Sequence, residues 1–296
     1  MGLFRRLVGY AYRLTHPTRY LLLLISLLQA ASSQAATIYV HSAATATEDG
    51  SDWKNAFTDL QDGLAAAGPG DEIWVAAGVY VPGMTEGDTF KLISGVEIYG
   101  GFEGNPGTEG NFSVRDFESF VTVLSGDIEG NDLSDANSVV PDPTFIMGDN
   151  CDNVVSGDGI DRTAVLDGFT ITAGQDGGGM INIGSSPTLS NLTFTGNSGG
   201  QGGGMANTNN SSPSLTDVVF SNNSSSGEGG GMYNSSGSPV LTNVTFSGNS
   251  ATLSGGGMSN QGNSSPSITG VVFSNNSSSS GEGGGMYNNS SSPVLI

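Results

Sequence analysis

The chain has 296 residues, of which 28 are acidic, eight are basic and one is a cysteine, giving a formal net charge of −20 at pH 7. A field of that sign repels nucleic acid and anionic lipid, which excludes both as partners. The lone Cys151 excludes an internal disulfide, and the isolated His16 and His41 suggest no nucleophile–His–acid arrangement.

At the N-terminus, Arg5, Arg6, Arg13 and Arg19 lead into the apolar run Tyr20–Leu28, followed by small residues up to Ser33-Gln34-Ala35. This order predicts an export signal over residues 1–35, with an apolar run shorter than the about 20 residues that a membrane span needs. Without that segment, the four remaining bases (Lys54, Lys91, Arg115, Arg162) face all 28 acids, a net charge of −24. No second apolar stretch follows. The mature chain is therefore expected to have no integral membrane span and to be extracellular or cell-surface.

Residues 36–170 hold 24 of the 28 acids and read as an N-terminal cap with irregular first coils. A strand is predicted at Thr37–Val40. Trp53, Phe57, Leu60 and Leu64 then fall at helical spacing, so one amphipathic helix is expected over 53–67, capped from Asp49–Asp52 and stopped by Gly68-Pro69-Gly70. Strands are predicted at 72–76, 79–81, 90–93, 96–99 and 121–124. Residues 103–120 and 129–162 exceed the usual loop length, and excess of that kind is functional or disordered. Ala164–Ile171 already looks like a variant of the block that recurs afterwards.

Residues 171–296 are rich in Gly, Ser and Asn and nearly free of charge. Gly-Gly-Gly-Met ends at Met180, Met205, Met232, Met258 and Met286, at spacings of 25, 27, 26 and 28 residues. Between these, a block ending in Phe recurs at Ser186–Phe194, Ser212–Phe220, Ser238–Phe246 and Ser265–Phe273, with Asn197, Asn223, Asn249 and Asn276 three places after each Phe. A near-constant period of this size marks a solenoid whose coils cannot bury an apolar face alone. A disordered low-complexity tract does not need Leu, Val and Phe at fixed offsets. Each block is expected to form one short strand with Phe and Met inside. The Asn is expected at a left-handed bend, where stacked amides make a ladder. Asn210–Asn234 returns almost unchanged as Asn263–Asn288, so a two-coil unit has been duplicated.

The Phe-x-x-Asn blocks alternating with Gly-Gly-x-Met resemble the repeats of the polymorphic outer membrane proteins, with Gly-Met here in place of Ala-aliphatic. Asp49–Trp53, Pro69–Gly78 and Val123–Ile128 are similar to the N-terminal region of exported bacterial β-helix proteins. The resemblance implies an all-β right-handed parallel β-helix of about 26-residue coils with an N-terminal capping helix. It also implies surface display or adhesion in association with an outer membrane, with host or cell-surface glycans or proteins as partners.

β-Helices also host polysaccharide lyases and hydrolases. Residues 163–296 contain no Arg, Lys or His to serve as a lyase base. Glu228 and Glu282 sit two coils apart, about 10 Å on strand spacing, just past the separation an inverting hydrolase uses, and read as solvated turn residues. Asp127-Ile-Glu-Gly-Asn-Asp132 places oxygen ligands at alternate positions around a glycine, a weak pattern for Ca²⁺. Asp149, Asp152, Asp158 and Asp161 form a looser acidic stretch. Asn-x-Ser/Thr triplets are abundant, Asn191, Asn223 and Asn243 among them, and read as products of Ser/Asn-rich turns. No catalytic, cofactor or metal residue is assigned from the sequence. The expected function is a non-enzymatic surface module, adhesin-like or a spacer, with a polysaccharide-binding or polysaccharide-degrading protein as the alternative. Because Ser292–Ile296 opens a further block that stops inside its strand, the sequence is expected to be part of a longer protein.

Overall fold

A computed structural model describes residues 35–296, and the export signal expected over 1–35 lies, but for Ala35, outside them. The chain winds through four parallel sheets, each strand pairing with its counterpart one coil earlier and one coil later. Sheet I has nine strands, from Thr37–Val40 to Val294–Leu295. Sheet II has seven, from Gly78–Tyr80 to Val272–Ser274, and sheet III seven, from Phe90–Lys91 to Met286–Asn288. A narrow sheet IV of four strands, Ser198–Gly199 to Ser277–Ser278, lies between II and III in the regular coils. This is a parallel β-helix of the right-handed type. Among the described residues, no helix is long and apolar enough to cross a membrane.

The register explains the composition. Each coil places Leu or Ile of sheet I opposite its neighbours, as in Leu189, Leu215, Leu241 and Ile268. Sheet II stacks Phe194, Phe220, Phe246 and Phe273 with ring centroids 4.8–4.9 Å apart and planes within 10° of parallel. Met180, Met205, Met232 and Met258 are fully buried on sheet III. The last glycine of each triplet lies against this core: a Cβ on Gly204 would sit 2.6 Å from both the Gly231 carbonyl and the Phe220 ring.

Two polar ladders run through the same interior. Asn197, Asn223, Asn249 and Asn276 pass a hydrogen bond from each Nδ2 to the next Oδ1 at 2.9, 3.0 and 2.9 Å. Asn182, Asn207, Asn234, Asn260 and Asn288 do the same on sheet III at 2.8–2.9 Å. The first ladder was expected from Phe-x-x-Asn, but not as a set of left-handed bends. Those Asn are interior residues with ordinary backbone, and their amides also donate to main-chain carbonyls such as Phe194 O and Phe220 O. The left-handed bend falls one residue earlier, at Gly196, Asn222, Gly248 and Asn275, and a second set of left-handed corners, Asn191, Asp217 and Asn243, lies between sheets I and II.

Three other expectations are corrected. The recurring block is two short strands rather than one: Ser214–Thr216 belongs to sheet I and Val219–Ser221 to sheet II, with the Asp217 corner between them. The helix, α1, spans only Leu60–Ala66, with Asp59 accepting from the Gln61 amide as its N-cap. Trp53 and Phe57 have helical spacing but other tasks. Phe57 exchanges backbone bonds with Tyr39 and His41, and Trp53 packs edge-on to Tyr39 at 4.8 Å outside the coil interior. α1 contacts the first strands of sheets I and III and buries Leu60 and Leu64. Finally, the stretch 129–162 contains a full strand, Asn153–Asp158, which carries sheet III between Phe90–Lys91 and Gly178–Ile183.

Candidate functional site: the loop-walled face of sheet II

The two long loops converge on one face. Residues 103–120 fold over the outer side of sheet I and cover an aromatic cluster in which Trp74 and Phe102 stack at 4.7 Å. Arg115 anchors this loop. Its Nε donates to Gly100 O, and its Nη2 donates to Asp167 O at 2.7 Å and to Asp167 Oδ1. The guanidinium also lies 5.4–5.5 Å from the ring centroids of Tyr99, Phe112 and Phe117. Asp167 in turn accepts from Ser190 Oγ and from Asn191 Nδ2, so its charge is fully engaged. Gly168 is required beside it, because a Cβ there would overlap the guanidinium and its φ is +81°. Nearby, burial and then a 2.5 Å bond to Glu97 push the Tyr99 hydroxyl above its usual range.

The second loop is docked on the opposite edge. Val140 N–H donates to Thr172 Oγ1 at 3.1 Å, and the same hydroxyl donates back to Val140 O at 3.1 Å. Asn222 Nδ2 reaches Pro141 O at 3.1 Å, one coil beyond the strand that follows Thr172. Within the loop, Asp132 accepts from the Met147 amide at 2.6 Å and from Asn150 Nδ2 at 2.8 Å. Its carboxyl is raised above the usual carboxylate range, chiefly by burial and in lesser part by Asp127.

Between these walls, a cleft of about 330 Å³ is lined by Ala77, Gly78 and Val79 of the floor, Ser119 and Val121 of one wall, and Ala136, Asn137 and Ser138 of the other. A separate hollow of about 50 Å³ shares Val121 and is lined by Phe117, Thr170, Asn191 and Thr193; between the two, Val123 of the same outward row is buried. Register carries the outward row on through Val219, Thr245 and Val272, and a second row runs through Ser221, Ser247 and Ser274. Phe117 remains 40% exposed at the wall.

The sequence-derived candidates lie elsewhere. In the Asp127–Asp132 stretch, Asp127 accepts from the Asn131 and Asp132 amides, and Glu129 accepts from Asn131 Nδ2. These oxygens thus bond their own loop, and among the described residues no three His, Cys, Asp or Glu side chains come together as a metal set. Asp158 pairs with Lys91 at 4.0 Å in solvent, and Asp161 caps Thr163. Asp149 and Glu129 line a separate cleft with Met84–Gly87. Cys151 is buried, which raises its thiol to about 12. His41 is depressed by burial.

Glu228 is not a solvated turn residue. It is half-buried and accepts from Ser254 Oγ (3.2 Å), Ser259 Oγ (3.2 Å) and Gln261 Nε2 (2.7 Å) on the next coil. Glu282 is exposed, and its charge, ahead of desolvation, raises the Tyr287 hydroxyl. Among the Asn-x-Ser/Thr triplets, Asn223 is 1% exposed inside its ladder, Asn191 is bonded to Asp167, and Asn243 is exposed.

No protein-family model matches the chain, and no curated protein matches it. Among solved structures, the crystal structure of a pectate lyase is similar over 82% of this chain at 16% identity, with a TM-score of 0.46. The match spans 64% of the lyase, less than two thirds of its length.

Proposed function

We propose that this protein is an exported, non-enzymatic β-helix of the cell surface that acts as an adhesin-like or spacer module, as the likeness of its repeats to those of polymorphic outer membrane proteins implies. The observation that carries this reading is the outer wall of the regular coils. Sheet II repeats Thr193/Thr195, Val219/Ser221, Thr245/Ser247 and Val272/Ser274 at one-coil intervals. A wall built of uncharged short side chains in register offers many equivalent contacts, which suits avidity rather than one catalytic constellation. The test is surface shaving of bacterial cells expressing the full chain with an epitope tag. Loss of the tag to external protease supports display, and full protection in intact cells refutes it.

The polysaccharide-degrading alternative rests on Glu228, whose carboxylate is held by three side chains and faces the same neighbourhood as Glu282 and Tyr287. Assay of the secreted chain for new reducing ends on a polysaccharide panel separates the two readings. Product that disappears in Glu228→Gln would establish the enzyme.

A further inference from the structure

We infer that the loop-walled face of sheet II is a binding groove for a single uncharged polysaccharide chain lying parallel to the helix axis. The inference rests on the adhesive reading above and names the chemistry of its ligand. Extended sugars present apolar ring faces and hydroxyl rims, and the groove offers both kinds of contact. Phe117, Val219 and Val272 supply the apolar surface, while Thr170, Thr193 and Thr245 supply donors and acceptors. The floor advances by one strand spacing per coil, about 4.8 Å, close to the length that one pyranose unit adds to an extended chain. From Thr170 to Val272 each successive sugar therefore meets an equivalent Thr or Val.

Charge decides which polysaccharides fit. The walls carry the exposed carboxylates Asp116, Glu118 and Asp135. The base on these walls, Arg115, is committed to Asp167 and Gly100. No Lys, Arg or His occurs from residue 163 onward, so nothing along the floor offsets the charge of a uronate. A polyanion would be desolvated next to like charge, whereas a neutral chain incurs no such cost.

The experiment is affinity electrophoresis and calorimetry of the secreted full chain with soluble neutral polysaccharides (glucan, mannan, galactan, xylan) and with polygalacturonate. Expected is binding to at least one neutral polymer, insensitive to added salt, with none to polygalacturonate. Phe117→Ala and Val219→Lys should each weaken it at least tenfold, while Thr216→Lys, at an exposed position on sheet I, should not change it. Circular dichroism of each variant guards against misfolding. Absence of binding to every neutral polymer, tighter binding to polygalacturonate, or equal loss in Thr216→Lys would overturn the inference. A tag shaved from the cell surface by a chain blind to all neutral polymers would refute the groove while leaving display standing.

Discussion

Replacing Phe246 by Ala tests the core argument most directly. The ring is fully buried between Phe220 and Phe273, each 4.9 Å away, and Gly231 backs against it so closely that a Cβ there would come 2.7 Å from its edge. Losing the side chain forfeits about 2–3 kcal/mol of transfer free energy. The void left behind, roughly 80 Å³ if the coils do not close, adds about 2 kcal/mol at ~24 cal/mol per Å³. Closure is opposed on both sides because the backbone spacing is fixed by strand pairing, so the expected loss is about 4–5 kcal/mol. Urea denaturation of the full chain, followed by intrinsic fluorescence and far-UV circular dichroism, reads this loss. Because a stack of coils need not unfold in one step, hydrogen exchange at Thr245 and Phe220 should show the same opening locally. Thr245→Ala, its outward neighbour, should shift stability by no more than about 0.5 kcal/mol. If Phe246→Ala and Thr245→Ala proved equal, the ring would not be a structural core and the stacking argument would fail.

Three further outcomes are expected. Asn223→Ala removes the acceptor for the Asn197 amide and side chain and the donor to Phe194 O, so it should cost on the order of 2–3 kcal/mol by denaturant titration, with Asn243→Ala at the exposed corner near zero. Arg115→Ala strands the buried Asp167 carboxylate and should destabilise by about 3 kcal/mol. Limited proteolysis should then cut within 103–120, and Arg115→Lys should rescue this only in part, since one ammonium cannot reproduce the forked contacts to Gly100 and Asp167. Cys151 should resist thiol reagents until the chain is unfolded. Its thiol titrates at about 12 in the fold against an ordinary value of 9.0, so the folded state retains a proton that the unfolded state releases. Stability must then fall as pH rises from about 9 to about 12, by up to ~1.4 kcal/mol per pH unit, and Cys151→Ser should remove that part of the slope.

The regular half of the fold was legible because its interior residues recur at one period: Leu, Phe and Met mark sheets I, II and III in turn. The second Asn ladder is equally periodic, as Met-x-Asn at 180–182, 205–207, 232–234, 258–260 and 286–288, but an Asn close to a glycine run is as much at home in a turn, so its period alone does not place it inside. The N-terminal half was harder. Helical spacing from Trp53 to Leu64 was real, yet Asp59 is the better cap and Phe57 is captured by the edge of the first strand. The Arg115–Asp167 pair spans 52 residues and belongs to no repeat, so no local pattern announces it. For the candidate groove, only its walls were foreshadowed, as two loops too long for simple connections.

The interior amides have a sense as well as a spacing. In both ladders every Nδ2 points toward the later coil and every Oδ1 toward the earlier one, from Asn182 to Asn288 and from Asn197 to Asn276. Head-to-tail alignment lets each bond polarise the next, so the rod carries an electrical polarity along its axis. The orphan it creates is visible: Asn182 Oδ1 is buried without a partner, facing Gly157, where a Cβ would come within 2.7 Å. A whole coil inserted or deleted anywhere in the array leaves this chain of dipoles unbroken, whereas a fraction of a coil interrupts it. Selection on such a molecule can thus alter its length in coil-sized steps, and the nearly identical copies Asn210–Asn234 and Asn263–Asn288 record one such step.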